Sequence, residues 1–367
     1  MLITARTKIL EYCLDKIDRT VRTCPETFPH ITKNGKWVTT NDGYWTGGFW
    51  VGILWIAYQL TGLHRYRDQC LKLMKIIEKR KNQPNANFDL GFLYTLSFVK
   101  GFEITNDSAL KEIALQSAER LLAFYHNKAG LVYTVYNFKT KEYGKEVGTS
   151  IVDIMMNLEL LWWAWKETEN RRYFEVANIH AQNTMKLFIR PDGSTYHAVD
   201  FDLESGHIIR KCTIHGLNDE SCWSRGQAWA IRGFFTAHQY SEKRIYQQTA
   251  FNLSNYYIGK NQERNIPPWD FRSKSEPRQA VDSSAVAIAT SAWLKWGDSE
   301  LSNYGRACLT KLVNKHLSSA SKDGILSQGC AFLKKGIGVN ESTIWGDYYL
   351  MESILSFFGT KPMVKVR

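Results

Sequence analysis

At 367 residues, with 44% hydrophobic and 13% aromatic side chains, the chain can bury a large core, and no stretch has the low hydrophobicity of a disordered tail. No apolar run reaches the roughly 18–20 residues of a membrane span, so membrane partners are not expected. The net charge of +11 suits an acidic partner, but lysines and arginines are scattered in short groups without a basic arm or nucleic-acid motif; a solvated positive surface or a polyanionic sugar fits better than nucleic acid.

Period-3.6 patterning predicts helices over 7–21, 46–60, 64–81, 88–102, 107–127, 150–165, 171–188, 223–238, 241–259, 282–296, 300–317 and 344–358, with strand alternation confined to roughly 190–215. These segments alternate in kind. Those at 46, 88, 150, 223, 282 and 344 are apolar nearly all round, whereas the others are amphipathic and charged. A helix apolar on every side must be buried on every side; an amphipathic one lies at the surface. Six of each in alternation predict six helical hairpins, hence an all-α (α/α)6 barrel with six inner and six outer helices. Irregular spacing of the inner helices argues against an open solenoid. The expected organisation is a single catalytic domain, 1–367, with no linker.

The first twenty residues carry scattered charges and no apolar stretch ending in small residues, so a cytoplasmic location is expected, or a periplasmic one if a leader precedes the sequence. The seven cysteines (Cys13, Cys24, Cys70, Cys212, Cys222, Cys308 and Cys330) are odd in number and form no Cys-x-x-Cys pair. They read as reduced thiols, and neither a metal site nor a cofactor is expected.

Each apolar helix begins with polar groups: Asp42 and Trp45 before the first, Asp89 at the second, Asp153 in the third, Arg225, then Asp282 with Ser283, and Asp347. If the inner helices run parallel, these ends meet at one mouth of the barrel. Two carboxylates facing one pocket raise each other's pKa by like-charge repulsion. The competing reading is helix capping: Ser150-x-x-Asp153 has the form of a capping box, Asn87 can cap the helix opened by Asp89, and Asp282 can itself be an N-cap. His197 lies within the non-helical excursion after 188, which could fold over the mouth, and His215 lies at its end. Trp45, Trp223, Trp229, Trp269 and Trp345 lie near inner-helix starts, where they could stack on sugars or simply fill the core.

The segments YWTGGFWVGILWIAY, FDLGF, SIVDIMMNLELLWWAW, HGLNDESCWSRGQAWAIRGF, DSSAVAIATSAWLKW and IWGDYYLMESIL resemble, in order and spacing, the unsaturated glucuronyl hydrolases of glycoside hydrolase family 88. The related unsaturated rhamnogalacturonyl hydrolases share a diluted version. The resemblance implies an (α/α)6 barrel and substrates left by polysaccharide lyases, oligosaccharides ending in a 4,5-unsaturated uronic acid. It places the acid/base aspartate on Asp153, the assisting aspartate on Asp89, and substrate contacts on Phe88, His197, His215, Arg225 and Trp229, to which position before the first inner helix adds Trp45. Two positions depart from the family pattern: Phe88 stands where a histidine is common, and His215 where a glutamine is. His215 has two readings: a neutral hydrogen-bonding stand-in for the amide, or a group that titrates near pH 6.5 and pairs with a sulfate when charged; Arg225 is expected to bind the uronate or a sulfate. The same reaction on pectin- or ulvan-derived products, an epimerase on the same fold, and a non-catalytic glycan-binding protein are the alternatives. The paired Asp89 and Asp153 argue against the last two.

Overall fold

The computed structural model describes residues 2–134, 136–137, 142–143, 146–262, 266–273, 280–297 and 299–359. Residue 1 and residues 360–367, included in the expected domain, lie outside the described residues. The chain is an (α/α)6 barrel. The outer helices are α1 (Leu2–Thr23), α3 (His64–Ile77), α6 (Ser108–Leu122), α9 (Arg171–Phe188), α11 (Arg244–Lys260) and α13 (Glu300–Lys315). The inner ring holds α2 (Gly47–Thr61), then α4 (Leu90–Tyr94) running through a π-helical turn, Thr95–Val99, into α5 (Lys100–Thr105). It continues with α7 (Ile154–Asn157) and α8 (Glu159–Thr168), α10 (Ser224–Ser241), α12 (Ser283–Trp293) and α14 (Ile344–Phe358). Each inner helix packs on the next, and α14 returns to α2, which closes the ring. Among the described residues no helix is long and apolar enough to cross a membrane, and all seven cysteines are buried and free.

Four of the hairpins share one turn. The helices α2, α5, α8 and α10 each end in a left-handed residue, Gly62, Asn106, Glu169 and Glu242, with φ of 69°, 57°, 59° and 58°. The residue before each is Thr61, Thr105, Thr168 or Ser241. Its hydroxyl donates to the carbonyl four residues back (Ala57, Gly101, Ala164, Ala237) and accepts from the amide two residues on. This local device satisfies orphan carbonyls and reverses the chain at once. These four inner segments are thus closed tightly at their C-terminal ends. Connections entering their N-terminal ends are long, so chain length free to build a site collects at one mouth.

Strands line that mouth. A three-stranded antiparallel sheet joins Val147–Ile151, Ala198–Asp202 and Ile208–Cys212. The last two fall within the expected excursion. The first corrects the boundary of the expected helix 150–165: β-branched Val147, Thr149 and Ile151 extend the chain, and the helix begins only at Ile154. Four two-stranded pairings were not expected from the sequence: Phe28–Lys33 with Lys36–Thr40, Tyr125–His126 with Leu131–Val132 (which ends the expected helix 107–127 at Leu122), Tyr136–Asn137 with Glu142–Tyr143, and Gly329–Phe332 with Ile337–Glu341. The first turns through Asn34 and Gly35, both at positive φ (54° and 76°), as an Asn-Gly hairpin should.

Candidate active site

Asp153 and Asp89 occupy the N-cap positions of α7 and α4, yet neither side chain makes a capping hydrogen bond. The capping box is overturned: Ser150 lies in a strand, and its hydroxyl donates to the Val132 carbonyl at 2.8 Å. Asn87 does act locally, accepting from the Asp89 amide at 2.8 Å, and Asp282 caps α12 by accepting from the Ser284 amide. The aspartates are brought together because α4 and α7 touch through Gly91, where a Cβ would lie 2.3 Å from the Asn157 Cα. Asn157 locks the contact by accepting from the Phe92 amide at 2.7 Å.

His197 completes the centre. Its Nδ1 accepts from the Ile214 and His215 amides, at 3.1 and 3.2 Å, so the neutral ring carries its hydrogen on Nε2. Nε2 sits 3.6 Å from Asp153 Oδ2, and neither buried atom has another partner. Burial pushes the Asp89 carboxyl up to about 7, with the Asp153 charge adding to it, against weaker opposition from Asn87 and Arg80. A second carboxyl, Asp347, is also raised to about 7 by burial, but it accepts from the Ile325 and Leu326 amides at 2.8 Å and holds that loop.

His215 extends the site outward. Its ring stacks on those of His197 (5.1 Å) and Trp223 (4.8 Å) and meets the edge of Phe332 (4.4 Å). Burial, followed by the nearby His197, Arg225, Lys335 and Lys334, holds its pKa well below 6.5. Of the two readings of His215 the charged one is therefore corrected: imidazolium here would be desolvated among like charges.

Arg225 is likewise committed to the protein. Its guanidinium donates to Asp282 Oδ2 (2.6 Å), the Cys330 carbonyl (2.6 Å) and the Ala331 carbonyl (2.7 Å), between the rings of Trp223 and Trp345. The arginine is 4% exposed, so these bonds hold it in the wall of the mouth, and any uronate or sulfate contact of the kind expected is left to the donors they do not use. Of the five tryptophans named above, Trp223, Trp229, Trp269 and Trp345 are buried, and Trp45 alone is half-buried. Trp229 packs between Phe92 and Tyr349 beneath the mouth; Trp269 donates to the His215 carbonyl at 2.8 Å. Trp45 lies against Trp345 at 5.1 Å, and Phe88 is buried in the core. Asp89, Asp153, His197 and His215 therefore form one centre with Trp45 on the rim. Helical periodicity puts Asn157 on the face of Asp153, but its bond to the Phe92 amide was not foreseen, and Phe332 was passed over because no periodicity marks it.

The model of glycosyl hydrolase family 88 matches residues 16–357. The chain belongs to glycosyl hydrolase family 88. Among family 88 relatives, an unsaturated glucuronyl hydrolase of Bacillus sp. (strain GL1) is 32% identical over 92% of this chain and 92% of its own. An unsaturated chondroitin disaccharide hydrolase of Streptococcus pneumoniae is 29% identical over 91% of this chain and 85% of its own. The crystal structure of an unsaturated glucuronyl hydrolase from Bacillus sp. GL1 superposes with a TM-score of 0.90 at 30% identity, covering 96% of this chain and 97% of that one. The chain is thus a glycosidase with the family 88 barrel.

Proposed function

We propose that this glycosidase is an unsaturated glucuronyl hydrolase. It removes a 4,5-unsaturated uronic acid from the non-reducing end of lyase-generated oligosaccharides, glycosaminoglycan-type disaccharides first among them. The whole barrel would serve as one catalytic domain. The observation that carries this reading is the pair itself: Asp153 beside His197, with Asp89 raised to about 7 next to it. A carboxyl that keeps its proton near neutral pH suits general acid catalysis.

The terminal ring of such a substrate is an enol ether, so cleavage can begin at the double bond rather than at the glycosidic oxygen. In the proposed sequence the aspartate pair holds one proton near neutral pH, and Asp153 delivers it to C4. Water adds at C5 and returns its own proton to Asp153. The resulting hemiketal opens to a ketone at C5, and the hemiacetal left at C1 expels the remaining sugar. His197 Nε2–H steadies the Asp153 carboxylate between these steps. Asp89 keeps the shared proton available, and neutral His215 offers hydrogen bonds rather than charge. Phe88 leaves the Asp89 carboxyl against an apolar neighbour in the chain. Trp45 supplies an aromatic face at the rim, and Trp229 and Arg225 hold the walls. Lys334 and Lys335, exposed near His215, add a positive field that favours an anionic sugar.

The test is to follow loss of the unsaturated uronate's ultraviolet absorbance over a panel of lyase products from glycosaminoglycans, pectin and ulvan. Turnover of glycosaminoglycan disaccharides above the others is expected. Preference for a pectin or ulvan product would reassign the substrate, and no turnover of any would remove the reading.

A further inference from the structure

The hairpin Gly329–Phe332 with Ile337–Glu341 forms the outer wall of the site: Phe332 meets the His215 ring, and the Cys330 and Ala331 carbonyls hold Arg225. At its far end, Gly329 pairs with Glu341. The Glu341 carboxylate does not face solvent alone. It accepts from the Thr32 hydroxyl at 2.5 Å, the Asn34 amide at 2.7 Å and the Gly35 amide at 3.2 Å. Asn34 and Gly35 are the two left-handed residues of the other hairpin's turn, so their adjacent amides converge into a small anion-binding nest. The Thr32 hydroxyl also accepts from the Ser342 amide at 2.8 Å, and the Thr32 amide donates to the Ser342 carbonyl at 2.9 Å. Three residues past Ser342, Trp345 stands against Trp45. One carboxylate therefore ties a turn near the start of the chain to the segment that runs into both aromatic walls of the mouth.

We propose that Glu341 is a positioning residue for the outer pocket: clamped in the Thr32–Asn34–Gly35 nest, it holds Phe332 against His215 and so sets affinity for the sugar beyond the scissile bond. The inference rests on the function proposed above. The row Asp153, His197, His215, Phe332 leads from the reacting carboxylate to the half-buried rim, so a uronate seated at Asp153 projects its leaving sugar along Phe332. Glu341 touches no reacting atom, and its loss acts through the wall.

The discriminating experiment compares an unsaturated disaccharide with the methyl glycoside of the same unsaturated uronate, whose leaving group is too small to reach Phe332. For Glu341→Gln, which places an amide NH2 where an acceptor is needed, KM for the disaccharide rises roughly five- to tenfold with kcat within about twofold. The methyl glycoside is turned over at an unchanged kcat/KM. Thr32→Val removes one arm of the same clamp and gives the same pattern in a smaller degree; it carries the test if Glu341→Gln does not fold. An equal change for both substrates would mark a general loosening, and an unchanged disaccharide KM would show the clamp to be idle; either overturns the assignment. A wild-type protein inactive on both substrates would remove the functional reading, and this assignment with it.

Discussion

His197 presents Nε2 to Asp153 at 3.6 Å because its other ring nitrogen is occupied by the Ile214 and His215 amides. The excursion that carries these residues thereby orients the ring and leaves the Nε2 hydrogen for Asp153. Two variants separate the halves of this arrangement. His197→Asn offers an acceptor to the loop amides but no donor to Asp153, and kcat falls about 10–100-fold, the range for a hydrogen bond to a charged group. His197→Ala also orphans two amides and lowers stability by about 1–3 kcal/mol in a urea titration. Equal loss of stability in both variants would show that the loop does not depend on Nδ1.

Asp153→Asn lowers kcat by at least about 10²-fold with the unfolding temperature near that of wild type, since the carboxylate makes no capping bond. It also removes a charge that raises Asp89, second only to burial. The Asp89 carboxyl, followed by carbon-13 NMR, then titrates below about 7. An unmoved titration would mean that the two groups are not coupled.

Asp89 links activity to stability with a definite sign. Its folded pKa of about 7 lies above the unfolded value, so folding loses stability as pH rises from the unfolded value toward about 7. Asp89→Asn abolishes most activity, yet raises the unfolding midpoint at pH 8 relative to wild type, and that gain vanishes near pH 4. Denaturant titrations of both proteins at the two pH values check this.

Glu352 behaves oppositely. Burial disfavours its charge, but Arg232 and Lys295, at 3.2 and 3.0 Å, outweigh that and bring the carboxyl down to about 2. Its stabilisation is present above about pH 4.3, the unfolded value, and is lost as pH falls toward about 2. Glu352→Gln therefore flattens the acid limb of a urea midpoint against pH curve. A limb of unchanged slope would show that the cluster is not what fails in acid.

His215, held neutral, does not switch substrate preference. Affinities for matched sulfated and unsulfated disaccharides run parallel between about pH 5 and 7, in wild type and in His215→Gln. Curves that diverge in wild type and converge in His215→Gln would restore the charge switch.

The barrel was legible in the sequence because a helix apolar on all sides, such as 46–60 or 344–358, has only one place to go. Asp89 and Asp153 stood out as carboxyls at the mouths of such helices. Less visible was the use made of each polar group. Arg225 looked free to bind an anion because Asp282, its partner on the neighbouring inner helix, is 57 residues away in the chain. His215 looked titratable because neither its stacking between His197 and Trp223 nor the nearby lysines leave a trace in local pattern. Ser150 fitted a capping box until strand pairing claimed its backbone. The Asn34-Gly35 hairpin was a local signal, legible but passed over among strong helical ones.

One measurement asks directly whether the double bond is hydrated before any glycosidic bond breaks. A single-turnover reaction with enzyme in excess over an unsaturated disaccharide, quenched at intervals, measures ultraviolet absorbance and released sugar on the same samples. With hydration first, absorbance disappears before the sugar appears, or together with it, and Asp153→Asn suppresses both. Released sugar accumulating while the absorbance persists would contradict that order.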